Sequence, residues 1–242
     1  MKKLRAIIFD LDDTLYPERE YVYSGFQAVA AWANAHLGIP QDEALKELWH
    51  LFCEGKRGNI FDQWLSSRAI KPEPWIPQMV KAYREHQPRI KPYPEALDLL
   101  SRLRKSYKLG LLTDGHGFVQ KIKLEALGLA SYFDAVVFSD DLGKQSWKPS
   151  TTPFKVILEQ LGTAGFESVY IADNPLKDFL GARLVGMWTI RIRHSEGLYS
   201  QLIPPSSEYA PHEEISSLNE IPEVLANIEE GVLKWQEGVG HV

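Results

Sequence analysis

The sequence has only one cysteine, Cys53, among its 242 residues. A single thiol excludes an internal disulfide and a zinc site built from several cysteines, and it is typical of proteins from a reducing compartment. The histidines form no metal-binding pattern. We therefore expect a cytoplasmic protein in which any bound metal ion has oxygen ligands.

The sequence also lacks long apolar runs and basic clusters. No stretch approaches the roughly 20 apolar residues that a membrane-spanning helix requires. The first apolar run stops at Asp10, where further acidic residues follow, and this argues against an export signal. The formal net charge is -5, so neither polymeric nucleic acid nor a membrane is an expected partner.

The apolar residues that are present form a regular pattern. Five short runs predict strands buried on both faces, at residues 5–10, 108–113, 135–139, 168–172 and 188–192. Helical patterns alternate with the later runs, and a short strand with a closing helix follows near the carboxyl end. This alternation predicts an α/β fold with a doubly wound, Rossmann-like parallel sheet.

One interval interrupts the alternation. About 95 residues separate the first two predicted strands, far more than a crossover requires. Residues 16–90 have amphipathic patterns with breaks near Gly38, Gly55 and Pro72, which predict about four helices. We therefore divide the chain into a discontinuous sheet core, residues 1–15 and 91–242, and an inserted helical cap, residues 16–90.

Polar residues follow the predicted strands. In open parallel sheets, ligands bind outside the carboxyl ends of the strands. The residues found there are Asp10 and Asp12, then Thr113 with Asp114 and Gly115, then Lys148, and finally Asp173 with Asp178. The topology thus brings carboxylates, a hydroxyl and an ammonium to one edge.

Three of these carboxylates, from Asp10, Asp12 and Asp173, would repel one another in one crevice. A divalent cation is the simplest remedy, and oxygen ligands alone favour Mg²⁺. The same repulsion predicts that Asp10 raises the pKa of Asp12.

The order of these residues resembles the four signature motifs of the haloacid dehalogenase-type phosphatases. The matching residues are Asp10-Leu11-Asp12-Asp13-Thr14, Thr113, Lys148 with Pro149, Pro153 and Phe154, and Asp173 with Asp178. The long insertion is similar to the helical, first-class (C1-type) cap of that family. Ala172 stands where many members have glycine, a departure that we expect to be tolerated.

The resemblance implies Mg²⁺-dependent hydrolysis of a phosphate ester through an aspartyl-phosphate. Asp10 would be the nucleophile, and Asp12 would protonate the leaving alcohol and then deprotonate the attacking water. Lys148 would neutralise charge on Asp10 and the transferring group.

The remaining motif residues would bind phosphate and metal. Thr113 and the backbone amides around Asp114 and Gly115 would bind phosphoryl oxygens. Mg²⁺ would be bound by the Asp10 and Asp173 carboxylates and the Asp12 main-chain carbonyl. The supporting residue Asp178 would orient its neighbours.

Two further residues have an open interpretation. Arg57 lies in a break between cap helices, and related caps use such a loop to contact the leaving group. Arg57 therefore has two equally supported interpretations, a residue that contacts the substrate and a residue of an exposed basic loop. His116 follows Thr113 closely, and we interpret it as an ordinary loop histidine in preference to a pocket residue.

The leading hypothesis is a phosphomonoesterase acting on a small phosphorylated metabolite, such as a sugar phosphate, a nucleotide or an organic acid phosphate. The alternatives are a sugar phosphomutase, which shares the motifs, and a non-catalytic binding module. Halide removal is disfavoured, because relatives with that activity lack an acid at the position of Asp12. The sequence leaves the substrate and the oligomeric state open.

Overall fold

The structure is a computed structural model that describes residues 3–238, with the side chains of residues 3–231. Residues 1, 2 and 239–242 of the predicted sheet core lie outside this range. The chain divides into two compact units. We call Met1–Glu18 with Lys91–Val242 the sheet unit, and Arg19–Ile90 the helical unit.

The described part of the sheet unit contains a parallel sheet with the strand order β3-β2-β1-β4-β5-β6. The strands are β1 (Ala6–Phe9), β2 (Lys108–Thr113), β3 (Ala135–Phe138), β4 (Ser168–Ala172), β5 (Trp188–Ile192) and β6 (Glu213–Ile215). Ile8 in β1 is paired with Gly110 on one side and Tyr170 on the other. This order confirms the predicted doubly wound α/β fold.

The helical unit contains α1 (Glu18–Leu37, whose first residue belongs to the sheet unit), α2 (Gln41–Cys53), α3 (Ile60–Ser67) and α4 (Ile76–Glu85). Its core is aromatic. The Phe26 ring of α1 has its centroid 6.1 Å from that of Phe52, 6.2 Å from Phe61 and 5.8 Å from Tyr83. These rings therefore connect all four helices.

The helices of the sheet unit cover the two faces of the sheet, as alternation of strand and helix requires. They are α5 (Ala96–Leu103), α6 (Gly117–Ala126), α7 (Thr152–Leu161), α8 (Asp178–Leu184) and α9 (Ile221–Gly238). Leu112, Phe154, Tyr170 and Phe179 belong to one buried core cluster between sheet and helices. None of the helices within residues 3–238 combines the length and apolarity needed to cross a membrane.

Candidate active site

A buried lysine lies at the centre of the carboxyl edge of the sheet. The Lys148 ammonium is 3.1 Å from Asp10 Oδ2 and 2.6 Å from Asp178 Oδ1, and it donates a hydrogen bond of 2.8 Å to the Tyr170 hydroxyl. Burial alone would lower the pKa of Lys148, but the Asp10 and Asp178 carboxylates raise it well above the ordinary value. Lys148 is therefore a fixed positive charge beside Asp10.

The carboxylates outnumber this charge. Asp10, Asp173 and Asp178 each offer an oxygen atom, and these atoms lie within 4.8 Å of one another. Burial raises the pKa of Asp173, and the carboxylates of Asp178 and Asp10 raise it further. Burial also raises the pKa of Asp10, against the opposing effect of Lys148. The charge of Lys177 also lowers the pKa of Asp10 and Asp173, but two ammonium groups still do not balance three carboxylates.

Two oxygen atoms of the cluster are available to a ligand. Asp10 Oδ1 and Asp173 Oδ2 are buried and have no hydrogen-bond partner among the described residues. Buried polar atoms rarely remain unpaired, and each one calls for an explanation. Anionic oxygens without histidine or cysteine nearby are the donor set of a hard cation. Asp10 and Asp173 are thus the side chains that fit a metal ion.

Asp178 orders the turn after β4. Its Oδ2 accepts a hydrogen bond of 2.9 Å from the Asn174 amide, and Asn174 Oδ1 accepts one of 2.9 Å from the Leu176 amide. These bonds hold residues 174–177 in a turn, so α8 begins at Asp178. Asp178 therefore orients both the turn and Lys148.

The Asp12 side chain contacts residues outside the cluster of Asp10, Asp173 and Asp178, and this corrects one expectation. Lys123 Nζ lies 2.7 Å from Oδ1, Gln120 Nε2 donates a bond of 2.8 Å to Oδ2, and the Tyr16 hydroxyl donates to Oδ1. Burial raises the pKa of Asp12, but the charge of Lys123 and these hydrogen bonds outweigh it and leave the pKa below its ordinary value. The predicted upward shift is wrong because it ignored Lys123.

Lys123 and Gln120 were missed because only tertiary structure brings them to Asp12, more than 100 positions away in the sequence. The local sequence offers one indication of their role. Gln120 and Lys123 are three residues apart in a helical pattern, so a lysine lies on the same buried side as the glutamine.

The loop after β2 carries the predicted phosphate-binding residues. Thr113 is buried, and its Oγ1 accepts a hydrogen bond of 2.7 Å from Gln120 Nε2. Gly115 has a φ of +125°, a conformation that favours glycine. The Asp114 carboxylate accepts hydrogen bonds from Ser139 Oγ and from the Lys148 amide, the latter at 3.3 Å. Its side chain therefore fixes neighbouring loops.

Asp13 links two further segments to this edge. It has a φ of 49°, and its carboxylate accepts bonds of 2.8 Å from the Glu18 amide and 2.7 Å from the Leu198 amide. Burial raises the pKa of Asp13 to about 6, although both hydrogen bonds oppose the shift. These contacts of Asp13 could not be predicted from the local sequence pattern.

The buried Arg191, on β5, contacts the backbone of Asp173 at the end of β4. The Arg191 guanidinium donates to three backbone carbonyls, those of Asp173 at 3.1 Å, Tyr199 at 2.9 Å and Leu202 at 2.9 Å. It also pairs with Glu214 at 3.2 Å. Arg191 thus ties the end of β4 to the loop that follows β5, a role that the sequence did not reveal.

The two residues with open interpretations lie in exposed positions. Arg57, in the helical unit, donates bonds of 2.7 Å to the Phe52 and Lys56 carbonyls, and its guanidinium carbon is 3.9 Å from the Phe52 ring centroid. His116 directly precedes α6. Contact of Arg57 with a substrate stays a prediction.

Comparison with known proteins places these features in context. Residues 7–192 match the family model described as haloacid dehalogenase-like hydrolase. A glyceraldehyde 3-phosphate phosphatase from Methanopyrus kandleri is 32% identical over 93% of this chain and 98% of its own length. The pyrimidine 5'-nucleotidase YjjG from Escherichia coli is 29% identical over 90% of this chain and 96% of its own.

A solved structure shares the fold. The magnesium-bound HAD-hydrolase YfnB from Bacillus subtilis has a TM-score of 0.67 at 23% identity, over 93% of this chain and 99% of that one.

Proposed function

The chain belongs to the haloacid dehalogenase-like hydrolases, and from that premise we propose that it is a Mg²⁺-dependent phosphomonoesterase acting on a small phosphorylated metabolite. The observation that carries the proposal is the buried Asp10 carboxylate, which contacts Lys148 through one oxygen and leaves the other without a partner. Relatives named for a triose phosphate and for pyrimidine nucleotides support the substrate class.

We assign the metal site to the Asp10 and Asp173 carboxylates and the Asp12 main-chain carbonyl. The two buried oxygens without hydrogen-bond partners and the excess of carboxylates support this assignment. A bound Mg²⁺ would supply the positive charge that offsets these carboxylates and the phosphate oxygens of the substrate. Asp178 supports the site through Lys148.

The proposed reaction has two steps. Asp10 attacks phosphorus, the bond to the leaving oxygen breaks, and Asp12, whose pKa the neighbouring anionic ester raises on binding, delivers a proton to that oxygen. Water then attacks the aspartyl-phosphate while Asp12 accepts its proton, which releases inorganic phosphate and restores both carboxyl groups. Lys148 lies 3.1 Å from Asp10, where it holds the nucleophile in place and offsets its charge.

Phosphoryl binding is assigned to the loop after β2. The Thr113 hydroxyl and the backbone amides near Asp114 and Gly115 would donate hydrogen bonds to phosphoryl oxygens. The positive φ of Gly115 supports this role, because the backbone there adopts a conformation that side chains disfavour.

We further propose that the helical unit is a C1-type cap and that Arg57 contacts the leaving group. The unit is inserted between β1 and β2, directly after the first motif. Arg57 lies in a loop bounded by Gly55 and Gly58, which both have positive φ. A cytoplasmic location is part of the proposal, supported by the single cysteine.

The test is phosphate release from a panel containing glyceraldehyde 3-phosphate, pyrimidine nucleotides, sugar phosphates and phosphorylated organic acids, with Mg²⁺ and with EDTA. We expect Asp10→Asn and EDTA each to lower the rate by at least about 10³-fold. Asp98→Asn is the matched control, since the Asp98 carboxylate is exposed and pairs with Arg102 at 3.0 Å.

Three results would contradict the proposal. Undiminished release by Asp10→Asn would exclude the aspartyl-phosphate route. Isomerised ester without free phosphate would indicate a phosphomutase instead, and no turnover of any compound by the folded protein would favour a binding module.

A further inference from the structure

One face of α6 contacts the proposed acid and base. Gln120 and Lys123 are three residues apart, so their side chains lie on the same side of the helix. Between them they contact both carboxylate oxygens of Asp12, Gln120 at 2.8 Å and Lys123 at 2.7 Å. The helix, together with the Tyr16 hydroxyl that donates to Oδ1, therefore sets the orientation of this carboxylate.

Burial of the lysine makes this contact unusual. The Lys123 side chain is 5% exposed, whereas that of Lys121 on the same helix is 52% exposed. A buried ammonium destabilises a protein unless it is paired and hydrogen-bonded. Packing alone would be satisfied by an apolar side chain of similar length, so the charge at this position points to a role at Asp12.

Gln120 joins Asp12 to the phosphate-binding loop. Its Nε2 donates to Asp12 Oδ2 at 2.8 Å and to Thr113 Oγ1 at 2.7 Å. One amide nitrogen carries two hydrogens, so both bonds are satisfied together. In a phosphate monoester the leaving oxygen and the oxygens bound by Thr113 share one phosphorus atom. A fixed separation of Asp12 and Thr113 therefore suits proton transfer to that leaving oxygen.

We propose that Lys123 and Gln120 are positioning residues, which act through Asp12 to align its carboxylate with the leaving oxygen. This inference rests on the proposed function. The proton moves from Asp12 to the leaving oxygen as the phosphorus–oxygen bond breaks, and Asp12 later takes a proton from the attacking water. Lys123 and Gln120 exchange no proton and contact no reacting atom.

The leaving group provides a test that a purely structural role would not satisfy. An alkoxide needs a proton in order to leave, whereas p-nitrophenolate leaves without one. We expect Lys123→Met to lower kcat/KM for an alkyl phosphate about 10-fold to 100-fold. With p-nitrophenyl phosphate, kcat/KM should fall less than about 3-fold, because that ratio reports the first, acid-independent step.

The second step gives an independent readout. Asp12 also activates water, so the variant should hydrolyse the aspartyl-phosphate more slowly than it forms it. We therefore expect a burst of p-nitrophenol followed by slower turnover in Lys123→Met.

Lys121→Met is the matched control, since Lys121 lies on the same helix and pairs with Asp141 at 2.9 Å. It should retain wild-type kcat/KM for both substrates, and Lys123→Arg should recover part of the lost activity. If Lys123→Met does not fold, as judged by its melting temperature, Lys123→Gln replaces it with the same expected selectivity.

An equal loss with both substrates, or no loss with either, would overturn the positioning role. A wild-type protein without phosphatase activity would instead overturn the proposed function, so the two failures are distinguishable.

Discussion

The two units bury different kinds of side chain. In the described sheet unit the buried residues include charged groups such as Asp10, Lys148 and Arg191, whereas Ser24 is the one polar residue that is buried in the helical unit. The helical unit is stabilised by contacts between aromatic rings, and the sheet unit in addition holds charges in fixed positions. Substitutions of similar size should therefore have different consequences in the two units.

The difference follows from where each unit places its polar groups. A parallel sheet with helices on both faces has a carboxyl edge at which loops converge and supply polar partners. A small bundle of amphipathic helices has one shared interior, and apolar residues fill it. Fixed charge therefore belongs to the sheet unit.

The largest effect is expected from removal of the central charge. Lys148→Met leaves the Asp10 and Asp178 carboxylates without their ammonium. Breaking a buried ion pair should lower the free energy of unfolding by about 3 to 5 kcal/mol. Phosphatase activity should fall at least about 10²-fold. Urea unfolding and initial rates measure the two effects.

Added Mg²⁺ sharpens this prediction. A cation bound at Asp10 and Asp173 stabilises the folded state in proportion to its affinity. We expect Mg²⁺ to raise the melting temperature of Lys148→Met more than that of the wild type. A smaller increase in the variant would contradict the interpretation of the cluster as a cation site.

The second effect concerns ring packing. Phe26→Ala removes a buried ring that contacts Phe52, Phe61 and Tyr83. Such truncations cost about 3 to 5 kcal/mol. We expect faster amide hydrogen exchange within residues 19–90 and little change in β4, as measured by mass spectrometry.

The exposed Tyr23, whose ring contacts Trp49, provides the control for this substitution. Tyr23→Ala should change exchange far less. If Phe26→Ala accelerated amide hydrogen exchange equally in both units, the two units would not be independent in their response to the substitution.

The smallest effect is a pH dependence in the loop after β5. The His194 ring stacks on Tyr93 with centroids 3.8 Å apart, and burial lowers the pKa of His194, against a hydrogen bond with Thr14. The unfolded chain therefore binds more protons than the folded chain below about pH 6.5. The contribution of His194 to the free energy of unfolding is therefore present above that pH and is lost as the pH falls towards the lowered pKa.

His194→Gln should remove this slope. Urea unfolding at pH 8 and pH 5.5 gives the decrease in the free energy of unfolding between the two pH values. We expect this decrease to be smaller in the variant than in the wild type, by less than about 1 kcal/mol. An identical loss in both proteins would assign the pH dependence to other groups.

The sequence predicted the sheet because strands buried on both faces are continuous apolar runs. Residues 108–113, 168–172 and 188–192 were predicted with their observed bounds. The motif residues could be named because each lies at the carboxyl end of a strand, in the loop that follows, or at the start of the next helix. Local pattern therefore identified the elements and the polar residues at their ends.

Orientation could not be predicted in the same way. The pKa of Asp12 depends on the charge of Lys123. The orientation of the buried Arg191 guanidinium depends on its hydrogen bonds to the carbonyls of residues 199 and 202. Both arrangements depend on segments that are distant in sequence and on the path of loops, which hydrophobic periodicity does not encode.

A backbone hydrogen bond joins the segments that lead out of β1 and back towards α5. The Tyr93 amide donates to the Leu15 carbonyl at 2.9 Å, so the chain leaves β1 and returns towards α5 through two segments that touch. An insertion whose ends are already joined places no length requirement on what lies between them. Residues 19–90 could therefore be replaced by a shorter linker or by a foreign domain with adjacent termini. Either replacement is compatible with the register of β1 and β2.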